Sequence, residues 1–134
     1  LSVPQSEIDI ALPAKPECAP LLRGALNSYL RALGLPNASA FDVLVAAGEA
    51  TGNVIEHAYR DRPGSVRLRA YVERRRLVIE ISDRGRWRTD GDATRGRGLG
   101  LMRALVDRVS IESSQRGTSV RLEVALNGAS AVAR

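Results

Sequence analysis

Two side chains suited to phosphate chemistry sit four residues apart in the stretch "EATGN": Glu49, a carboxylate, and Asn53, a carboxamide. Four residues is about one helical turn, which puts both oxygens on one face. A hard cation such as Mg²⁺ takes few protein oxygens and completes its shell with water and phosphate, so Asn53 offers one neutral ligand. Glu49 would then orient an attacking hydroxyl or take its proton. The same line runs through Asp42 and Glu56, and a solvated polar stripe is the ordinary alternative. The neighbours argue for more: Ala46, Gly48, Ala50 and Gly52 surround the pair. An interior helical glycine costs about 1 kcal/mol relative to alanine. The expectation is a helix kept slim for something that approaches it closely.

Three glycine-bearing segments follow. "ISDRG" puts Asp83 where a strand gives way to a loop, with Gly85 free to turn or to approach a ligand. "RGRGLGLMRAL" runs Gly96, Gly98 and Gly100 into a helix. Exposed N–H groups at a helix start bind anions, and the helix dipole assists. "RGTSV" sets Gly117 and Thr118 at the head of the last strand. The spacing is neither a Walker A loop nor a Rossmann fingerprint, and the protein-kinase signatures are absent.

These residues need elements to hold them. Ile8, Ile10 and Leu12 alternate as a half-buried strand. Leu22, Ala25, Leu26, Tyr29, Leu30 and Leu33 recur at helical spacing, and Gly34 stops that helix. Ser39 with Asp42 reads as a capping signal opening a long helix to about Tyr59, with Leu44, Ala47, Val54, Ile55 and Ala58 inward. Val66 to Val72 and Leu77 to Ile81 read as a hairpin turned by "ERRR". Residues 84–97 carry no period and predict a long loop, the kind that is functional or disordered. A helix over 98–109, a short strand near 109–114, a stronger strand at 118–126 and a frayed tail at about 127–134 complete the chain. Consecutive strands favour antiparallel pairing, so the expected fold is a two-layer α/β sandwich, its sheet mixed but mostly antiparallel, with helices on one face.

Composition narrows the options. The 134 residues fit one domain, and 44% hydrophobic content supports a core. No apolar run approaches the ~20 residues of a membrane span. The net charge is +5, but the basic residues are scattered and aromatics make up 4%, which argues against direct nucleic-acid binding. Cys18 is the only cysteine and His57 the only histidine, which rules out an internal disulfide and a histidine-rich metal site. The expected compartment is the cytoplasm. The start at Leu1 fits a piece of a larger chain.

Taken in order, "EATGNVIEHAY", "SDRG", "RGRGLGL" and "GTSV" resemble the N, G1, G2 and G3 boxes of the GHKL ATP-binding superfamily. Without a large lid insertion, the chain is most similar to the bacterial anti-sigma factor serine-protein kinases. The resemblance implies a Bergerat ATP-binding fold over residues 1–134, with 84–97 as the lid. It implies ATP and Mg²⁺ as cofactors, with Asn53 on the metal and Glu49 as general base toward a serine. Asp83 would take the adenine amino group, with Gly85 beside it and the Thr118 hydroxyl nearby. Gly98, Leu99 and Gly100 would meet phosphate through their backbone, and Arg97 or Arg95 would reach the γ-phosphate. Implied partners are a sigma factor and a STAS-type anti-anti-sigma protein, with a homodimer and fusion to a serine phosphatase domain also in keeping. Two other readings stay open: a nucleotide-gated or purely protein-binding module, and a histidine kinase ATP-binding domain. One departure is Trp87, which stands where the G1 box often has a second glycine.

Overall fold

The computed structural model describes residues 7–60, 62–86 and 93–126, the last segment with side chains from Gly98 onward. Trp87 and the tail at 127–134 lie outside the described residues, as do the side chains of Arg95 and Arg97. The strands are β1 (Glu7–Pro13), β2 (Ser65–Glu73), β3 (Arg76–Asp83), β4 (Arg108–Ser114) and β5 (Gly117–Ala125). The helices are α1 (Ala19–Leu33), α2 (Asn37–Asn53) and α3 (Ala93–Leu105), and α2 runs on as a π-helical turn, Val54–Ala58. The sheet order is β1-β2-β3-β5-β4, and all four pairings are antiparallel.

Strand alternation separates the two faces. Val66, Leu68, Ala70, Leu77, Ile79, Ile81, Val120 and Leu122 are buried in the core with Leu22, Leu26 and Leu30 of α1, Val43 and Leu44 of α2, and Met102 of α3. The intervening strand positions form a charged outer face. There Arg67 grips Asp9 through two hydrogen bonds of 2.8 and 2.6 Å, and Arg121 reaches Glu80 at 3.0 Å. Arg74 and Arg75 turn β2 into β3 with φ of 53° and 64°, the left-handed pair that a two-residue hairpin demands. Gly34 ends α1 at φ 81°, as its position predicts.

Four expectations change. The N-cap of α2 is Pro36 rather than Ser39, and no side chain caps it; the helix starts at Asn37, directly after the fixed φ of the proline. The long helix keeps α geometry only to Asn53. Residues 93–97, expected as loop, are already helical, so α3 starts five residues earlier than its apolar pattern. At its other end α3 stops at Leu105, and Val109 belongs to β4.

The small residues of α2 also have a different reason. Ala46 and Ala50 are fully buried in the core, and α2 packs against both α1 and α3. A helix with neighbours on both flanks and a sheet beneath needs small side chains for close approach. Gly48 and Gly52 instead line a cavity of about 350 Å³ between α1 and α2, together with Leu22, Leu26 and Leu44. A Cβ at either glycine would meet nothing within 4 Å. Their cost therefore has no packing return among the described residues. Gly117 is the opposite case: its φ is +142°, and a Cβ there would overlap the carbonyl oxygen of Asp83.

The two classes of glycine should separate in a urea titration. Gly48→Ala should raise the unfolding free energy by about 0.5–1 kcal/mol. Gly117→Ala should lower it by about 2 kcal/mol or more, through backbone strain and overlap. Equal effects would contradict the packing described.

Candidate functional site

Asp83 is the last residue of β3 and continues the side of the strand that holds Leu77, Ile79 and Ile81. A carboxylate thus occupies a core-facing position, 7% exposed, at the end of the sheet. Directly across the β3–β5 pairing stands Thr118, 4% exposed. Its hydroxyl lies 3.0 Å from the Ser113 hydroxyl on β4. The Gly85 N–H donates to Asp83 Oδ1 at 2.9 Å, which fixes the carboxylate against its own turn.

Three consecutive N–H groups hold this turn, and two of them go to the end of the α2 segment. Arg84 N–H donates to the Tyr59 hydroxyl at 2.9 Å, and Arg86 N–H donates to the Ala58 carbonyl at 2.8 Å. The Ala58 carbonyl is one of the acceptors that a helix end leaves unfilled. Gly85 lies so close to this end that a Cβ would overlap the Ala58 carbonyl group. The sequence suggested that Gly85 makes room for a turn or a ligand; the structure gives that room to the Ala58 backbone. Gly117 presses on the Asp83 backbone from β5. Asp83 is therefore clamped between two glycine contacts.

Glu49 and Asn53 lie one turn apart on α2, half-buried and 5% exposed respectively. Neither has a hydrogen bond or ion pair among the described residues. Their cover is α3. A Cβ at Gly98 would come 3.2 Å from Glu49 Cγ and 3.4 Å from Asn53 Nδ2, so only the glycine backbone passes this closely. Gly98 is buried, Leu99 packs partly into the core and Gly100 is exposed. All three lie within α3 rather than at its start. In this conformation their N–H groups lie inside the helical run, which reaches back to residue 93. Arg95 and Arg97 sit in the first turns of that helix.

The Asn53 carboxamide has no hydrogen bond among the described residues, which leaves its oxygen available to a ligand. One such oxygen suits a cation that keeps most of its shell for water and phosphate, so Asn53 fits Mg²⁺ on the chemistry of its donor. No group of three or more His, Cys, Asp or Glu capable of holding a metal occurs among the described residues. His57 lies 3.4 Å from Glu56 in the π-helical turn, half-buried, a local contact rather than part of a metal cluster. Sequence reasoning missed Tyr59, Ala58 and Ser113. Only the π-helical turn, invisible in residue types, turns the first two toward Asp83. No described helix is long and apolar enough to cross a membrane.

Known proteins share this arrangement of elements. Serine-protein kinase RsbW of Bacillus subtilis (strain 168) is 28% identical, the match covering 90% of this chain and 86% of that protein. The RsbW of Bacillus velezensis is 29% identical with the same coverage. An anti-sigma F factor of Clostridium acetobutylicum is 27% identical over 87% of this chain and 91% of its own. Among solved structures, the RsbU and RsbW domains of a Mycobacterium tuberculosis protein superpose with a TM-score of 0.77 at 24% identity. That match covers 92% of this chain but 33% of the solved one, and it speaks for the fold. The family described as "Histidine kinase-like ATPase domain" matches residues 12–124. With the clamped acid at the strand end, Glu49 and Asn53 beneath α3 and this match over most of its length, the chain belongs to the histidine kinase-like ATPase domain family.

Proposed function

We propose that the chain acts as one ATP-dependent serine-protein kinase domain that also restrains a sigma factor. ATP use follows from the family. Support for the kinase and anti-sigma activities comes from relatives bearing those names over nearly the whole chain. The observation that carries the reading at the site is the pair Glu49 and Asn53, sheltered beneath Gly98 yet without a hydrogen bond or ion pair among the described residues.

The roles implied by the resemblance are carried onto these positions. Asp83 accepts the exocyclic amino hydrogen of adenine, and Thr118 supports it from the neighbouring strand. Asn53 supplies one oxygen to Mg²⁺. The ion, when bound, draws charge from the β- and γ-phosphates. Glu49 takes the proton of the substrate serine as its Oγ forms a bond to the γ-phosphorus. The bond from that phosphorus to the β–γ bridging oxygen breaks, and ADP leaves. Phosphate on the serine of a STAS-type anti-anti-sigma partner adds a dianion that releases it. The same partner, unphosphorylated, competes with the sigma factor. A homodimer and a phosphatase-fused setting are compatible with this scheme, and the solved RsbU–RsbW chain makes the second concrete. The packing of α3 across Glu49 favours one further version, in which nucleotide gates partner binding with little turnover.

Contact between phosphate and the backbone of Gly98, Leu99 and Gly100 requires the first turns of α3 to open. Gly96, Gly98 and Gly100 make that opening cheap, since each removes about 1 kcal/mol of helix preference. Arg97, or Arg95, then becomes available to the γ-phosphate.

Two experiments test this reading. Transfer of labelled phosphate from ATP to a STAS partner should fall about 10²–10⁴-fold in Glu49→Gln while ATP still binds. Asn53→Ala should instead lose Mg²⁺-dependent ATP binding. Full transfer by both variants would sink the assignments. At Gly100 a Cβ meets nothing within 4 Å. Gly100→Ala should therefore raise thermal stability and weaken ATP binding about fivefold, the equivalent of ~1 kcal/mol of added helix preference. Unchanged affinity would mean that α3 binds nucleotide without opening.

A further inference from the structure

The geometry points to Tyr59 as a positioning residue for purine recognition, an inference that rests on the adenine-binding role proposed for Asp83. The Tyr59 hydroxyl makes two hydrogen bonds. It donates to the Ser65 carbonyl at 2.6 Å and accepts from Arg84 N–H at 2.9 Å. Ser65 begins β2, and Arg84 is the residue directly after Asp83. One oxygen therefore joins the end of the α2 segment, the start of β2 and the turn that carries the acid. The ring is held in place as well: Gly64 packs so closely on it that a Cβ there would overlap the ring carbons.

The neighbouring bonds show what this hydroxyl controls. Arg86 N–H is fixed on Ala58 and Gly85 N–H on Asp83 Oδ1. Arg84 N–H is the third bond of the set and the one nearest the Asp83 backbone. Without that acceptor, the turn loses the one of its three bonds that ties Arg84 to the end of the α2 segment, and the peptide between Asp83 and Arg84 can tilt within its packing. The carboxylate direction then loses its reference to α2, the helix that carries Asn53. Recognition of an amino group by a carboxylate depends on direction, because hydrogen bonds weaken steeply as they bend. Phosphate binding at Asn53 does not depend on it. Loss of the hydroxyl should thus be felt at the base and not at the phosphates. Ordinary destabilisation would weaken every ligand alike.

Tyr59→Phe removes the hydroxyl and leaves the ring on Gly64. The test measures dissociation constants of Mg-ATP and Mg-ITP by calorimetry; the two differ at the purine 6-position, amino against keto. The natural chain should prefer ATP by tenfold or more. In Tyr59→Phe this preference should fall at least fivefold, through weaker ATP binding, with ITP and inorganic tripolyphosphate binding unchanged. Gly64→Ala keeps the hydroxyl but displaces the ring, and should reduce the same ratio, which covers the case in which Tyr59→Phe does not fold. An undiminished ATP preference in a folded variant would overturn the role of Tyr59 and leave the proposed function standing. A natural chain that binds ATP and ITP equally would overturn the role of Asp83, and this inference with it.

Discussion

The Ala58 carbonyl, meeting the N–H of Arg86 at 2.8 Å, is the contact on which the site depends. A helix end and a strand end both leave backbone groups without partners, and here the two ends satisfy each other. A typical hydrogen bond is worth about 1 kcal/mol net, but leaving a buried carbonyl unpaired costs about 1–3 kcal/mol. The contact is feasible only because Gly85 lacks a side chain and because Val54–Ala58 widen into a π-helical turn that re-aims the last carbonyls. Through it, the helix bearing Glu49 and Asn53 and the strand bearing Asp83 behave as one piece. A ligand that spans them meets two subsites held at a fixed separation, so little ordering is left to be done at binding.

How far this was legible in the sequence varies by element. Strands with one buried face announced themselves: the alternation in "SVRLRAYV" and "RLVIEIS" survives because one side meets the helices and the other meets water. Gly34 was equally plain, since a left-handed cap selects for glycine. The α2 helix was harder. With α1, α3 and the sheet all against it, its buried positions span about half of its circumference, and small residues that serve packing looked like space kept for a ligand. Residues 93–97 hid for a related reason. Glycine and arginine carry no apolar period, so nothing in "ATRGRG" marks a helix until Leu99 finds the core. Asn53 was placed on the polar side of its helix and Asp83 at a strand end, so their burial was missed, although both were singled out by residue type. Tyr59 was not, because its importance lies in what its hydroxyl reaches after the chain has folded.

The outer face of the sheet shows how a chain with a net charge of +5 distributes its arginines. Arg121 is shared among Glu73, Glu80 and Glu123, and Arg69 among Glu7, Asp9 and Glu80. The hydrogen bond from Arg67 holds the Asp9 carboxyl below its ordinary value. Whatever that pair contributes is present above the ordinary aspartate pKa and is lost as pH falls through the lowered one. Exposed pairs contribute little stability individually. A network of them does keep a broad sheet face polar without leaving a strong single-sign field, so the face resists non-specific stacking. The excess positive charge lies elsewhere. Arg60, Arg62, Arg84 and Arg86 are exposed around the Tyr59 turn and have no carboxylate partner among the described residues.

Rigidity and softness are divided between the two sides of the candidate site. Asp83 is fixed by backbone hydrogen bonds and by glycine contacts that tolerate no added atom. The cover over Glu49 and Asn53 is a helix rich in glycine at its start, with Gly98 as the contact point. In the role proposed for Asp83, selectivity for a base needs directions that do not relax, and the strand end would supply them. Admission of a polyphosphate, in the proposed function, needs a cover that can open, and three glycines in one helical segment weaken its preference for helix. A ligand would open such a cover only by its differential affinity for the open form. Placing strain-intolerant glycines at one end and helix-weakening glycines at the other therefore gives the same residue type two opposite duties in one site.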